Sequence, residues 1–506
     1  MATATTNTRP ERLSLVRAAL CGVLALAAAL AAGHLVAGLV NGNASPYLAV
    51  GNTAIDLTPL SLKDFAVRTF GTYDKLVLLV GMGIVLLVVA AGAGVASRRS
   101  VWPGGLVIVL FGLVGVAAVA ARPDLNTAAL AAPLVSLVVG VGVFRLLHRG
   151  ARHDASRRSF LLVAGGAVLA GVGGQLLGRT RDAASSRAAV GPLVPARTAP
   201  AIPLDADFAR FGTPPFLTPN RDFYRVDTAL TVPQLRAEDW SLRLHGLVRA
   251  EQRYTYADIR DRPLVERTIT MTCVSNEVGG PYTSTANFTG IDLADLLDEA
   301  GIQPGAEQLF ATSVDGWTSG TPVTAAADRT RGAMLALGMN GEPLPLEHGF
   351  PARLVIPGLY GYVSATKWVV DLEVTTWQAR QAYWLRRGWA EQAPIKTQSR
   401  IDFPKGFATV PAGTVRVAGI AWAQHIGVDR VEVRLDNGAW QDARLSTEVN
   451  PDTWRMWYAD LPVSPGFHQV TCRAATDRSG HTQTQDRAGT VPDGATGWHG
   501  ISFTAN

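Results

Sequence analysis

Cysteine is scarce in this chain, with three residues in 506. Cys21 lies in an apolar run and Cys472 in a strand-like stretch, and no C-x-x-C-H occurs, which excludes a covalently attached c-type haem. Histidine is equally thin in the apolar part. Only His34 sits well inside a run and His148 near an edge, so a bis-histidine intramembrane haem has no pair of ligands. Charge is rare over residues 1–178, where it nets +8, whereas residues 179–506 net −3. The basic balance therefore comes from arginines flanking apolar runs. With no basic-aromatic stripe, it does not point to nucleic acid. What remains is a lone thiol, Cys273, in the polar, Gly-rich stretch Thr270-Met-Thr-Cys-Val-Ser-Asn-Glu-Val-Gly-Gly280. A thiolate is a soft metal ligand or a nucleophile, and a buried thiol is otherwise a small hydrophobe.

Long apolar runs are abundant. Five occupy roughly 13–40, 76–96, 104–121, 127–147 and 160–178, each near the length that crosses a bilayer core as a helix. Arg9 and Arg12 precede the first. Arg98 and Arg99 separate the second from the third, and Arg145, Arg149, Arg152, Arg157 and Arg158 separate the fourth from the fifth. The other connections hold only Lys63, Arg68, Lys75 and Arg122. The positive-inside rule then places the N-terminus in the cytoplasm and everything after residue 178 outside. Ser156-Arg-Arg-Ser-Phe-Leu-Leu162 has the form of a twin-arginine export signal, and a plain positive anchor is the alternative. Residues 181–215 are Ala-, Pro- and Arg-rich and read as a linker. Beyond them, strand-like runs fall at 240–245, 268–272 and 353–356, with a helix over 292–300 ending at Gly301. After Pro394 the alternation at 415–422 and 431–438, with further strands near 454–458 and 468–474, predicts an all-β sandwich.

Several short motifs carry chemistry. Thr218-Pro-Asn-Arg-Asp-Phe-Tyr-Arg225 collects an amide, two aromatics and an arginine. Cys273 and Asn276 form C-x-x-N, and Thr312-Ser-Val-Asp315-Gly-Trp317 is a turn. His348-Gly-Phe-Pro-Ala-Arg353 pairs an imidazole with a guanidinium able to hold a phosphate bidentately. Pro357-Gly-Leu-Tyr-Gly-Tyr-Val-Ser364-Ala-Thr366-Lys367-Trp368 offers hydroxyls, an ammonium and backbone donors.

Together residues 216–506 resemble the sulfite oxidase family of molybdopterin enzymes. The resemblance implies an α+β molybdopterin-binding domain at 216–390 and an immunoglobulin-like, dimerisation-type sandwich at 394–506, behind a membrane region at 1–180 with about five helices. It implies Cys273 as the one protein ligand to molybdenum, and Arg225 beside it to orient a substrate. It also implies Asn220, Phe223, Tyr224, Asp315, His348, Arg353, Ser364, Thr366 and Lys367 around molybdopterin, in its mononucleotide form. Trp377, Gln378 and Tyr383 lie near a W-Q segment and active-site tyrosine of sulfite-oxidising members, with the spacing off by one. Two departures are visible. Those members carry basic residues after C-x-x-N, where this chain has Glu277 and Val278. They also carry an arginine after an Ala-Trp pair, where this chain has Ala423-Gln-His-Ile-Gly427. A dianion needs paired cations to offset its desolvation, so the expected substrate is a small polar molecule other than sulfite. Electrons would pass to a separate partner or a quinone, with the bilayer as the other partner and a homodimer as the assembly. The alternative is a non-catalytic membrane protein with an immunoglobulin-like binding module.

Overall fold

The computed structural model describes residues 12–59, 73–122, 125–150, 156–179 and 183–506, together with Leu62, Phe65, Ala66, Thr69 and Phe70. Arg9, Lys63, Arg68 and Arg152, used above for orientation, lie outside the described residues. The chain divides into two compact units, Met1–Ser185 with Thr228–Gln234, and Ser186–Asp227 with Leu235–Asn506.

In the first unit, runs without charge leave the backbone only one way to satisfy its polar groups in an apolar medium, the helix. Four helices are long and apolar enough to cross a membrane: Leu15–Val40, Asp74–Ala96, Trp102–Ala120 and Thr127–Arg149. The fifth run forms a helix over Ser156–Arg179, but its apolar part, Phe160–Gly174, is shorter. Four such spans among the described residues thus stand where five were expected. Glycine permits the closest crossings. A Cβ on Gly22 would lie 1.9 Å from the Ala90 carbonyl oxygen, and one on Gly94 2.1 Å from that of Ala18, so Leu15–Val40 and Asp74–Ala96 meet backbone to backbone. A short helix absent from the expectations, Pro46–Leu57, begins on its proline. Thr228–Gln234 is tied to this unit by polar side chains: Asn52 Oδ1 accepts from the Leu230 N–H at 3.2 Å, and Thr231 Oγ1 donates to Asn43 Oδ1 at 2.8 Å.

The second unit is α/β followed by β. One mixed sheet runs in the order Gln252–Thr255, Ser241–Gly246, Val369–Thr375, Gln308–Ser313, Thr318–Pro322, with a parallel pairing of Ser241–Gly246 and Val369–Thr375. A second antiparallel sheet orders Val265–Thr272, Thr283–Asp292, Met334–Met339 and Glu342–Pro343, with Arg353–Val355 also on Met334–Met339. The period-2 pattern explains the buried face of the first sheet, where Leu242, Leu244, Leu309, Ala311, Leu372 and Val374 are all buried. The expected helix spans Leu293–Ala300, with Asp292 before it and left-handed Gly301 after it.

Residues 181–215 carry a helix, Ala183–Val190, and an extended stretch in which the Ala196 N–H donates to the Leu264 carbonyl at 2.7 Å. That stretch holds backbone donors able to pair with a strand start, which composition alone conceals. After Pro394, Gln398–Phe403, Gly413–Trp422, Arg455–Val463 and Arg444–Leu445 form one sheet. Thr409–Val410, His499–Ala505, Gly466–Asp477, Val428–Leu435 and Gln441–Asp442 form another. Both face a shared core that includes Val417, Val431, Trp457, Val470 and Phe503. Each such side chain, fully buried, contributes roughly 1.5–3 kcal/mol.

Candidate functional site

Cys273 follows the last residue of the strand Val265–Thr272 and is 9% exposed. The loop from Cys273 to Tyr282 closes on itself. The Cys273 N–H donates to the Tyr282 carbonyl at 3.0 Å, the Asn276 N–H to the Cys273 carbonyl at 3.0 Å, and the Tyr282 N–H to Asn276 Oδ1 at 2.7 Å. Asn276 of the C-x-x-N is thus the loop's internal brace, and its Nδ2 is buried without a partner among the described residues. Burial pushes the Cys273 thiol up, opposed by the Ser275 N–H at 3.4 Å from Sγ and by the Lys367 charge. Glu277 is exposed and Val278 half-buried, so the loop adds no cation.

Facing electrostatics come from three basic side chains and one carboxylate. Arg353 is 3% exposed, and its hydrogen-bond partners among the described residues are carbonyls, of His348 at 3.1 Å and of Leu354 and Ala365 at 3.4 Å. Burial pushes its pKa down to about 10. Lys367 donates to Asp227 Oδ2 at 3.1 Å and to the Glu347 carbonyl at 2.9 Å, and burial pushes it down to about 8 despite Asp227. Arg225 Nε shares the same Asp227 oxygen at 2.9 Å. His348 Nε2 donates to the Asn220 carbonyl, 3.1 Å away, and burial with the Lys367, Arg353 and Arg225 charges pushes its pKa down to about 3. It is therefore neutral, with a buried Nδ1 that has no partner among the described residues. Aromatics wall the region. Phe223 and Tyr224 stack at 5.3 Å, and Phe223 meets His348 edge-on at 5.4 Å. Burial pushes the Tyr224 hydroxyl up, with the neighbouring Cys273 adding to the rise.

A cluster carrying more positive than negative charge, with a buried orphaned donor on Asn276, fits an anionic ligand that would accept from it. Among the described residues no three His, Cys, Asp or Glu side chains converge on one point. Cys273 would thus be a single thiolate ligand to a metal whose other ligands arrive with it.

The structure brings together Cys273, Arg225, Phe223, Tyr224, His348, Arg353 and Lys367. The side chains of the remaining expected residues bond other protein groups. Asn220 donates to Glu342 Oε1 at 2.5 Å and accepts from Asn340 Nδ2 at 2.8 Å. Asp315 accepts from the Trp317 N–H at 3.1 Å and shapes its own turn. Ser364 donates to the Leu359 and Tyr360 carbonyls at 3.0 Å, and Thr366 bonds Ser319 Oγ at 2.7 Å. Tyr383 lies under the Arg387 guanidinium, 3.6 Å from its ring centre. Sequence reasoning missed Asp227, whose signal was the Arg-x-Asp spacing that puts two side chains on one face of extended chain. It also missed the grip of the C-terminal sheets on the cysteine strand. Val265–Thr272 is an edge strand, and its open side is covered from afar. The Thr270 N–H donates to the Asp452 carbonyl at 2.9 Å, the Trp454 N–H to Thr270 Oγ1 at 2.7 Å, and Gln424 Nε2 to Thr272 Oγ1 at 3.1 Å. Separations of 150 residues and more leave no local signal.

The description "Oxidoreductase molybdopterin binding domain" matches residues 229–384. The chain is similar to mitochondrial sulfite oxidase of Homo sapiens, 30% identical over 310 residues, covering 52% of this chain and 56% of that protein. It thus spans about half the length of the curated sulfite oxidases it matches. It is also similar to an uncharacterized oxidoreductase, YuiH, of Bacillus subtilis (strain 168), 30% identical over 151 residues, 30% of this chain and 72% of that one. The crystal structure of the sulfane dehydrogenase SoxCD from Paracoccus pantotrophus aligns with TM-score 0.47 and 25% identity over 53% of this chain and 75% of that one. The thiol loop and the cation cluster lie on a chain that belongs to the sulfite oxidase family of molybdopterin-binding oxidoreductases.

Proposed function

We propose that this chain is a membrane-anchored, extracytoplasmic molybdopterin oxidoreductase performing two-electron oxo transfer on a small polar substrate other than sulfite. The observation that carries the reading is the buried Arg353 beside the nearly buried Lys367, which pairs with Asp227 and whose charge reaches the lone Cys273 thiol. When bound, the cofactor supplies the two-electron redox chemistry, and the protein supplies orientation and electrostatics. Cys273 holds the metal. Arg353 and Lys367 hold the anionic end of the pterin in its mononucleotide form, and His348, Phe223 and Tyr224 flank it. Arg225, itself half-exposed, orients the substrate. Electrons leave to a one-electron partner or a quinone. The two C-terminal sheets act as an immunoglobulin-like dimerisation unit, which the mass of the detergent-solubilised particle would test.

Sulfite is disfavoured because cations are lacking where a dianion would need them. Of the residues after Trp422, Gln424 is turned onto the cysteine strand and His425 pairs with Asp452 at 3.1 Å. Each lost contact at 4 Å is worth about 4 kcal/mol at an effective dielectric near 20, before desolvation. Sulfite turnover with an artificial one-electron acceptor should therefore fall below a kcat/KM of about 10⁴ M⁻¹s⁻¹, and efficient turnover would show that other residues line the pocket. Purified chain should carry about one molybdenum, as one thiolate ligand implies, and Cys273→Ser should keep the fold while losing turnover. An active Cys273→Ser enzyme sinks the assignment.

Counting Ser156–Arg179 as a fifth crossing, with the bilayer thinned around its short apolar part, leaves the second unit outside. Replacing Arg157 and Arg158 by lysine keeps the topological charge. On the export reading it should nonetheless leave that unit protected from external protease, and normal accessibility would favour a plain anchor.

A further inference from the structure

The internal bonds of the Cys273–Tyr282 loop fix its shape but not its aim, which needs a contact to a rigid body outside it. Strand Gln398–Phe403 supplies one, because Arg400 NH1 donates to the Gly280 carbonyl at 2.8 Å. Arg400 is 7% exposed, and its other nitrogens are anchored on Asp402, Nε at 3.0 Å and NH2 at 2.9 Å, two residues on along the same strand face. A second contact comes from the other C-terminal sheet. Gly279 takes φ +81°, and a Cβ there would lie 2.3 Å from the His499 ring, whose Nδ1 accepts from the Ile401 N–H at 3.0 Å. Two adjacent glycines of the thiol loop are thus seated against one residue from each sheet of the C-terminal β-unit. Glycine at 279 is what lets backbone approach that closely.

We propose that Arg400 is a positioning residue for Cys273, aiming the thiol loop by its hydrogen bond to Gly280 so that the C-terminal β-unit sets the geometry of the metal ligand. This rests on the reading of Cys273 as that ligand. A planar guanidinium reaches Asp402 and a carbonyl at once, which an ammonium on a flexible stem does not.

Two variants test it. Arg400→Lys keeps the charge beside Asp402 and most of the volume but removes the fork. Arg400→Met combined with Asp402→Asn removes the buried pair together, so neither charge is left alone. In cofactor-free full-length chain, peptide-resolved alkylation of Cys273 by iodoacetamide should quicken about 10-fold or more, the shift expected when one charged hydrogen bond no longer holds the closed loop. In the loaded chain the Mo(V) electron paramagnetic resonance signal should change its g-values while molybdenum per chain is retained. Wild-type alkylation rates and g-values in both folded variants would overturn the proposal. Cys273→Ser separates the two levels. An unchanged Mo(V) signal there removes the metal-ligand reading, and the alkylation rates then decide by themselves whether Arg400 places the loop.

Discussion

Arg353 shows at the scale of one residue how a site can be recognised by what a buried charge lacks. A guanidinium at 3% exposure, with only carbonyls as hydrogen-bond partners among the described residues, costs more to bury than those bonds return. The neighbouring His348 cannot help, since it is held neutral with one orphaned nitrogen. An anion resolves the guanidinium's deficit, and a donor on the same ligand would resolve that of Nδ1. Arg353→Met, close in volume and uncharged, should therefore leave the cofactor-free chain as stable as wild type or more so. Cofactor loading should fall about 10- to 100-fold, the equivalent of one charged hydrogen bond of roughly 1.5–3 kcal/mol. Molybdenum per chain and the melting temperature of the cofactor-free protein measure the two effects, and undiminished loading would remove Arg353 from the ligand's shell. The imidazole and guanidinium were legible in His348-Gly-Phe-Pro-Ala-Arg353, because both residue types and their spacing are local. The engagement of Ser364 with carbonyls and of Thr366 with Ser319 was not, because a hydroxyl's choice between a ligand and a protein partner depends on what packs beside it.

Among the elements, the strand Val265–Thr272 bears the most consequence, since it ends at Cys273 and its outer edge is covered by loops 150 or more residues away. Thr270 is the joint, with Oγ1 shared between Thr285 Oγ1 and the Trp454 N–H. Thr270→Val keeps the shape and orphans a buried N–H, which should cost about 1–3 kcal/mol. Eleven of the twelve tryptophans lie after residue 235, so tryptophan fluorescence in detergent follows this unit and should melt a few degrees lower. An unchanged transition would mean that the contact between strand and loop is incidental. The strand itself was readable from its β-branched alternation, as were Gly413–Trp422 and Val428–Leu435. Its position at a sheet edge was not, because pairing partners are chosen by the whole sheet. Helix Ser156–Arg179 illustrates the converse. Its existence was plain in the sequence, but glycines at 165, 166, 171, 173 and 174 thin its apolar content.

For the whole molecule, pH should act through histidines buried in neutral form. Burial pushes His348 to about 3 and His499 to about 4, against an ordinary value near 6.5. Below about pH 6.5 the unfolded chain binds protons that these folded imidazoles refuse, so stability falls as pH drops. The slope is up to about 1.4 kcal/mol per pH unit for each. His468, raised by its 2.8 Å bond to Asp436, binds its proton more readily when folded and offsets part of this. Denaturant midpoints of the cofactor-free chain, followed by tryptophan fluorescence, should decline between about pH 6.5 and 4.5, above the range where most carboxylates titrate. His348→Gln should flatten that decline, and an equal slope in the variant would contradict the burial argument.

Composition and periodicity by themselves determined that this chain has an apolar helical part and a polar part of strands. The short motifs singled out one thiol, two cations and an imidazole as candidates for one site. Those properties are local, since hydrophobic content over 20 residues, alternation over six and motif spacing each act within one element. Only the tertiary structure decided that Asp227 ties Arg225 to Lys367, that Thr228–Gln234 belongs with the helices, and that Arg400 and His499 seat the glycines behind Cys273. Each of those joins residues that the sequence keeps far apart or gives no pattern. What brings them together is the burial of shared apolar surface and the requirement that buried polar groups find partners.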